Sequence, residues 1–375
     1  MKFLHTADWQ IGRIYSFEGL GEGHDPAAAM ATARFDAIAT IAALATAEQV
    51  DAVLVAGDVF DKQALLDNSL RRVVDAMAGF SGRWILLPGN HDAALAVSVW
   101  TRLQGLGILT PNIDLALEPQ VFEYPELGFA LLAAPLTQRQ THTDLTDSFD
   151  TMQSSPGLIR IGLAHGSVAE ILPESADSPN PIAPDRAATA RLDYLALGDW
   201  HGTKQINERT WYSGTPEQDR LKDNDHGNVL IVEIDTPGAV PRVVRKRVGR
   251  YLWQARAVDI NASSDIESLR ESLAALGAAD VMQLYVTGLV DYASSEELRR
   301  VLEAVRARIH VLEVDLSGLR MEPTAADLAG MKVDGALAEV VDSLRTMQTQ
   351  PDQAEVAREA LKLLFDLVRR EGVGA

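Results

Sequence analysis

Two hydrophobic periods alternate along the first half of the chain. Met1–Thr6 is a short apolar run that reads as a buried strand. From Ala27 to Ala47, Ala, Ile and Leu recur at three- and four-residue spacing, the period of a helix. Ala52–Ala56 is a second apolar strand, closed by Gly57-Asp58. A helical pattern returns at Ser69–Ala78, and the strand Arg83–Leu87 runs into Pro88-Gly89-Asn90-His91-Asp92. Strand followed by helix, repeated, predicts a layered α/β architecture. Further strands are expected at Phe129–Ala134, Ile159–Ala164, Tyr194–Leu197 and Val229–Ile234. The Pro- and Asp-rich segments Thr137–Ser155 and Pro173–Asp185 read as loops.

Near Arg250 the pattern changes. Ala255–Asn261, Val281–Gly288 and His310–Asp315 read as strands, separated by the helices Ile266–Leu276 and Ser295–Arg308, a β-α-β-α-β unit. Beyond Pro323 the chain reads as helical throughout. In Glu355–Arg370 the residues Val356, Ala360, Leu364, Leu367 and Val368 are assigned to one apolar face, for core packing or for a partner helix.

At 375 residues the chain should hold two or three domains. No window approaches a continuous transmembrane run, so a soluble protein without a membrane role is expected. The absence of cysteine excludes disulfides, thiolate metal sites and a cysteine nucleophile. Candidate site residues begin at Asp8, which leaves no room for a signal peptide, and cytoplasm is the expected compartment. The net charge of -19 runs against a broad nucleic-acid-binding surface. The one basic run, Arg242, Arg245, Lys246, Arg247 and Arg250, is either a solvated strand face or a phosphate-contacting one.

Clusters of ligand-type residues stand at the ends of predicted strands: Asp8-Trp9-Gln10, Gly57-Asp58, Gly89-Asn90-His91-Asp92, and the pair His165-Gly166 with Gly198-Asp199-Trp200-His201-Gly202. Loops at the carboxyl ends of strands in an open α/β sheet converge on one site. Oxygen-rich donors with a minority of imidazoles suit Mn²⁺, Mg²⁺ or Fe²⁺ better than structural zinc. His5, inside the first strand, is expected to hydrogen-bond across the floor of the site.

The order of these clusters resembles the calcineurin-like metallophosphoesterases over roughly residues 1–235. Within that superfamily, His5-Thr6-Ala7-Asp8-Trp9, Ala56-Gly57-Asp58-Val59-Phe60-Asp61, Ala164-His165-Gly166-Ser167, Tyr194-Leu195-Ala196-Leu197-Gly198 and Tyr212-Ser213-Gly214-Thr215-Pro216-Glu217 are similar to the SbcD-type components of DNA double-strand-break repair exonucleases. The resemblance implies an αββα sandwich (1–248), a small α+β capping domain (249–322) and a C-terminal helical region (323–375). It implies a metal-dependent DNA phosphodiesterase, 3′-to-5′ exonuclease and single-strand endonuclease, using a hydroxide activated by two divalent ions, Mn²⁺ first among them. Its partners would be DNA, an SMC-like ABC-type ATPase and a second copy of the chain. A phosphoesterase acting on nucleotides or other small phosphoesters, or a degenerate metal-binding scaffold, are the alternatives.

Carried onto matching positions, the resemblance makes Asp58 the bridge between the ions. Asp8, Gln10 and His201 would hold the first ion, and Asn90, His165 and Asp199 the second. His91 would serve the phosphate, with Asp92 orienting it. Gln10 and Asp199 stand where the family pattern has histidine, so a weaker first site and a harder, more acidic second one are expected. His24 and His142 are the residues that would replace the missing imidazole.

Overall fold

The computed structural model describes residues 1–17, 25–169, 180–221, 225–322 and 335–370. It divides into two compact units, Met1–Trp253 and Gln254–Ala375.

In the first unit, β1 (Lys2–Thr6), β2 (Ala52–Ala56), β3 (Arg83–Leu87) and β4 (Ile113–Leu115) pair in parallel, and β13 (Asn228–Glu233) and β14 (Arg242–Arg247) extend them antiparallel into one six-stranded sheet, ordered β14-β13-β1-β2-β3-β4. A second six-stranded sheet is made of β5 (Gln120–Tyr124), β6 (Phe129–Ala134), β7 (Ile159–His165), β10 (Tyr194–Gly198), β11 (Lys204–Gln205) and β12 (Thr210–Tyr212). Its order is β11-β12-β10-β7-β6-β5.

Successive strand residues point to opposite faces, and the sequence uses both. Phe3, Leu54, Ile85 and Leu87 of the first sheet share one core with Phe129, Leu131, Ile161, Leu163, Tyr194 and Ala196 of the second. Their neighbours Leu4, Val53, Val55, Trp84 and Leu86 face the other way, against α1 (Pro26–Ala47), α2 (Asp67–Met77) and α3 (Val99–Gly105). Leu132, Ala134, Leu195 and Leu197 pack outward with Phe149 and with Ala187 of α4 (Arg186–Thr189). The arrangement is the expected αββα sandwich. Continuous apolar runs in β2 and β6 follow from it, because both faces of each sheet are covered.

Helix α1 starts where the chemistry says it should: the Asp25 carboxylate accepts from Ala28 N at 3.1 Å, and Pro26 takes the first helical position. This helix corrects the expectation that no segment is apolar enough to cross a membrane, since its length and Ala-rich composition pass that test. Phe35, Ile38, Ile41, Ala42 and Ala45 are buried against the first sheet, which accounts for the apolarity.

The second unit is built on a three-stranded sheet, in which β16 (Asp280–Val290) lies between β15 (Leu252–Ile260) and β17 (Val311–Met321) and runs parallel to β17. The residues of β15 from Gln254 onward belong to this unit. Helices α5 (Ser263–Leu273) and α6 (Tyr292–Arg306) give Ile266, Leu269, Leu298, Val301 and Leu302 to its core. Helices α7 (Ala336–Met347) and α8 (Ala354–Arg370) follow. The inward face of α8 is Ala357, Leu361, Phe365 and Val368; of the stripe expected only Val368 belongs to it, and Val356 and Leu367 are exposed together with Leu363. A leucine-rich helix offers two apolar stripes, and the Tyr292–Phe365 edge-to-face contact marks the one turned inward.

Two expected loops carry some regular structure. A 3-10 turn, Leu145–Asp150, lies in one. In the other, Pro181–Ile182 (β9) pairs with Ser167–Val168 (β8), and residues 173–179 fall outside those described.

Candidate metal centre

Asp8, Asp58, Asn90 and Asp199 stand on loops that leave the carboxyl ends of β1, β2, β3 and β10, and His165 ends β7. Their backbones are unusual. Asp8 (φ 54°), Gln10 (45°), Asp58 (52°) and Asp199 (103°) all have positive φ, a conformation that costs about 1–3 kcal/mol for a side-chain-bearing residue. The loops hold each other in place: Asp8 N donates to Gly57 O at 3.0 Å, and Gln10 N to Asp58 O at 2.9 Å. Strain concentrated at ligand-type residues is what a preformed site requires.

Two glycines permit the close approach of β2, β7 and β10. A Cβ on Gly57, itself at φ 88°, would fall 2.2 Å from His165 Nδ1. One on Gly198 would fall 1.8 Å from Ala56 O and 2.8 Å from His165 Nδ1. Ala56 O is the carbonyl to which His165 Nδ1 donates at 2.8 Å. Gly198→Ala is therefore expected to destabilise the protein by about 2–3 kcal/mol and to weaken Mn²⁺ binding. Thermal unfolding and a Mn²⁺ titration check this, and a wild-type melting temperature would refute it.

With Nδ1 of His165 committed to a carbonyl, Nε2 points into the cluster. It lies 3.2 Å from Asn90 Oδ1, 3.7 Å from Asp58 Oδ1 and 3.7 Å from Asp199 Oδ1. Donor atoms of Asp8, Asp58 and His165 fall within 4.8 Å of one another, all buried. A lone pair and oxygens converging from four loops are the donor set of a hard or borderline divalent cation. The electrostatics agree. Burial raises the Asp8 carboxyl well above its ordinary range, and the charges of Asp58 and Asp199 push it further. Asp199 N, donating to both Asp8 oxygens at 3.2 and 3.3 Å, pulls the other way. Negative charge gathered out of water calls for a compensating cation.

The His201 side is made differently. His201 Nδ1 lies 3.1 Å from Asp219 Oδ2 and 2.6 Å from Arg220 Nη2, and Nε2 lies 3.0 Å from Gln10 Nε2. The Gln10 oxygen accepts from Arg13 Nη1 at 2.9 Å, and Arg13 Nη2 reaches Asp219 at 3.2 Å. Gln10 thus turns its amide nitrogen, not its oxygen, toward the histidine, contrary to the ligand role expected of it. Burial lowers the His201 pKa against the opposing pull of Asp219. Asp219 itself is held well below the carboxylate range, burial being outweighed by His201, Arg34 and Arg13.

Asp92 also departs from expectation. Its carboxylate accepts from Gly89 N at 2.6 Å and Phe60 N at 3.0 Å, so it clamps two loops and does not touch the His91 ring. Burial, then Asp58, raises its pKa. The His91 ring instead donates from Nδ1 to Asp61 O at 2.9 Å, with Asp61 Oδ1 at 3.9 Å and Asp58 Oδ2 4.0 Å from Nε2. In the sequence Asp61 stands out only as the last residue of a motif. Arg13, Asp219 and Arg220 give no periodic or ligand-type signal, although Arg13 lies three residues past Gln10 and Asp219 two past Glu217. His5 behaves as expected, between Tyr194 OH at 3.1 Å and Leu197 O at 3.2 Å, with burial lowering its pKa to about 3. His142 is exposed, and His24 lies outside the described residues.

The segment Tyr212–Glu217 has a positioning role. Thr215 Oγ1 donates to Asp8 O at 2.8 Å and Thr215 N to His201 O at 2.9 Å, which ties those two loops together. Glu217 accepts from Arg250 N and Tyr251 N at 2.8 and 2.9 Å.

The family model of the calcineurin-like phosphoesterases matches residues 1–232, which takes in every candidate ligand. The chain belongs to that family. Its members bind divalent metals, and the oxygen-faced His165 cluster fits such an ion. Among similar proteins, the SbcD component of the SbcCD nuclease of Bacillus subtilis (strain 168) is 25% identical over 355 residues, covering 84% of this phosphoesterase and 86% of that protein. A protein of the same name from Rhodobacter capsulatus is 36% identical over 99 residues, 25% of this chain and 22% of the other. An uncharacterized metallophosphoesterase of B. subtilis, YhaO, is 23% identical over 290 residues, 72% of this chain and 65% of its own length.

Proposed function

We propose that this phosphoesterase is a metal-dependent DNA phosphodiesterase of double-strand-break repair, a 3′-to-5′ exonuclease on duplex ends and an endonuclease on single strands. The observation that carries the reading is the likeness to a component of an SbcCD nuclease along 86% of that protein's length, well beyond the phosphoesterase domain. An SMC-like ATPase, docked on the C-terminal helices, and a second copy of the chain are the partners this reading assigns, with the cytoplasm as compartment. Of the expected domain division, the sandwich would carry the chemistry and the α+β unit would serve as the cap.

Asp8, Asp58, Asn90, His165 and Asp199 would hold the cation, and Mn²⁺ suits their oxygen-rich set. When bound, the ion supplies Lewis acidity against the phosphate and a strongly acidified water. The chain's own residues do the rest. Asp58 receives His91 N at 2.9 Å, which fixes the His91 loop against the cation site. The His91 ring, its side chain 34% exposed, is the group available to hydrogen-bond or protonate a leaving oxygen. Asp61, through its carbonyl and carboxylate, sets the direction of that ring.

One observation favours a second reading, a phosphoesterase for small diesters. Three of the five residues of the basic run are already paired with carboxylates: Arg242 with Glu233, Arg245 with Asp225 and Lys246 with Glu48. End-labelled duplex and single-stranded DNA, and bis(p-nitrophenyl) phosphate, should each be offered to the chain with Mn²⁺, beside Asp58→Asn. DNA cleavage by the parent and none by the variant is the expected result. Diester turnover with DNA left intact, even with a candidate ATPase added, would transfer the assignment to the second reading.

A further inference from the structure

The two imidazoles of the centre are surrounded by opposite chemistry. Nε2 of His165 faces three oxygens, of Asn90, Asp58 and Asp199. Nε2 of His201 faces a nitrogen donor, Gln10 Nε2 at 3.0 Å, with Asp8 Oδ1 no nearer than 4.0 Å, and Arg220 Nη2 lies against the same ring, 2.6 Å from Nδ1 and 3.4 Å from Nε2. A lone pair aimed at oxygens needs a cation between them. A lone pair aimed at N–H groups already has its partner.

The donors on the His201 side are held from behind. Gln10 is 2% exposed, and its oxygen is taken by Arg13, whose guanidinium also pairs with Asp219 at 3.2 Å and Asp61 at 3.5 Å. Turning the Gln10 amide over would set its NH₂ against the Arg13 guanidinium, so the nitrogen-inward orientation is fixed by a charge. Arg220 pairs with Asp219 through Nε at 3.3 Å while Nη2 lies against the His201 ring. Two guanidiniums and one amide thus converge where the family pattern would have a second imidazole and an ion.

We propose that the chain holds a single divalent cation, on the His165 side, and that a guanidinium, Arg220 steadied by Asp219 and seconded by Arg13, supplies the positive charge on the His201 side. The proposal rests on the reading of the His165 cluster as a cation site. Functionally, a fixed +1 charge then faces one non-bridging oxygen of the substrate phosphate while the ion faces the other. Arg suits this place because its planar fork can hold a carboxylate and a phosphate oxygen together.

The test is a count. The full-length chain, stripped with chelator, is titrated with Mn²⁺ by calorimetry and by the paramagnetic resonance of free and bound ion. One tight Mn²⁺ per chain, with the spectrum of an isolated ion, is expected. His201→Ala should leave the count at one, whereas His165→Ala should weaken binding by at least about 100-fold, more than loss of an outer partner does. The double variant Gln10→His, Arg220→Ala should gain a second ion, spin-coupled to the first at the roughly 3.5–4 Å of a paired site. Two coupled ions in the parent, a count lowered by His201→Ala, or a double variant that gains nothing would each overturn the single-ion assignment. No Mn²⁺ binding at all by the parent would overturn the metal reading itself, a result distinct from the other three.

Discussion

Asp58→Asn is expected to abolish Mn²⁺-dependent diester hydrolysis and, in the metal-free protein, to raise the melting temperature. Asp58 is 2% exposed, and its charge is a cause of the raised pKa of both Asp8 and Asp92. Those three carboxylates share one buried space, and with no cation their repulsion works against the fold. An asparagine removes one charge yet keeps an oxygen to accept from His91 N, the bond that holds the following loop at 2.9 Å. A stabilisation of roughly 1–2 kcal/mol is typical when a functional but unfavourable group is neutralised, which corresponds to roughly 2–8 °C in a unit of this size. The same change removes an anionic donor from the cation site. Loss of ion-based charge stabilisation is worth several kcal/mol, or about 10³–10⁴ in rate. Calorimetry of chelated parent and variant, with Mn²⁺-dependent turnover of the small diester, measures both. An Asp58→Asn protein that is less stable without metal would show the centre to be held together by Asp58 and not strained by it.

The sandwich was legible because its strands are covered on both faces. β2, β6 and β10 appear as unbroken apolar runs, which places the sheets, and β2 and β10 lead directly into ligand-type residues, Asp58 and Asp199, which places the site. Short elements such as β4 and β11 at the sheet edges, and β12 beside β11, carry no such run, and only their pairing partners define them. The ligand candidates could be read because Asp, Asn and His at strand ends, beside glycine, have a chemical reason to be there. The correction at Asp92 has a physical cause: a carboxylate next to a catalytic-type histidine is equally suited to clamp backbone N–H groups, and sequence adjacency turns the two side chains apart. The charged ring of Arg13, Asp219 and Arg220 was invisible for a different reason. Arg13 stands more than two hundred residues before the adjacent pair Asp219 and Arg220, and the two ends meet where Thr215 bridges the Asp8 and His201 loops. In α8 the two apolar stripes are equivalent by periodicity, and only packing against Tyr292 distinguishes them.

Removing the metal should make stability fall as pH rises above neutrality, and adding Mn²⁺ should reverse the trend. In the folded chain Asp8 and Asp92 keep their protons well above the ordinary carboxyl value of 3.8, burial being the first cause of each. The folded state therefore binds more protons than the unfolded one from about that value upward, and stability declines with pH through this window. Below the ordinary histidine value of 6.5, two groups act in the opposite sense. His5, lowered to about 3, and His201, also lowered by burial, are neutral when folded and take up protons when unfolded, so their contribution is lost as pH falls. Between the two ordinary values the opposing terms offset each other. As pH rises past 6.5 the imidazoles become neutral in the unfolded state too and their contribution levels off, so wherever Asp8 or Asp92 still holds its proton the chelated protein should lose about 1.4 kcal/mol per pH unit for each. A divalent ion at the His165 cluster replaces a proton on Asp8, so its affinity gains as pH rises. At an ion concentration about 1,000 times Kd the stabilisation is about 4.1 kcal/mol, or roughly 8–16 °C. The melting-temperature gap between Mn²⁺-loaded and chelated protein should therefore widen from pH 6.5 to 8, and widen less in Asp58→Asn, where a neighbouring charge that holds those protons on is gone. A gap that stays constant across this range would mean that the protonated carboxyls and the cation are not exchanging for one another, and that the acidic cluster is held in its fold by something other than the charge an ion brings.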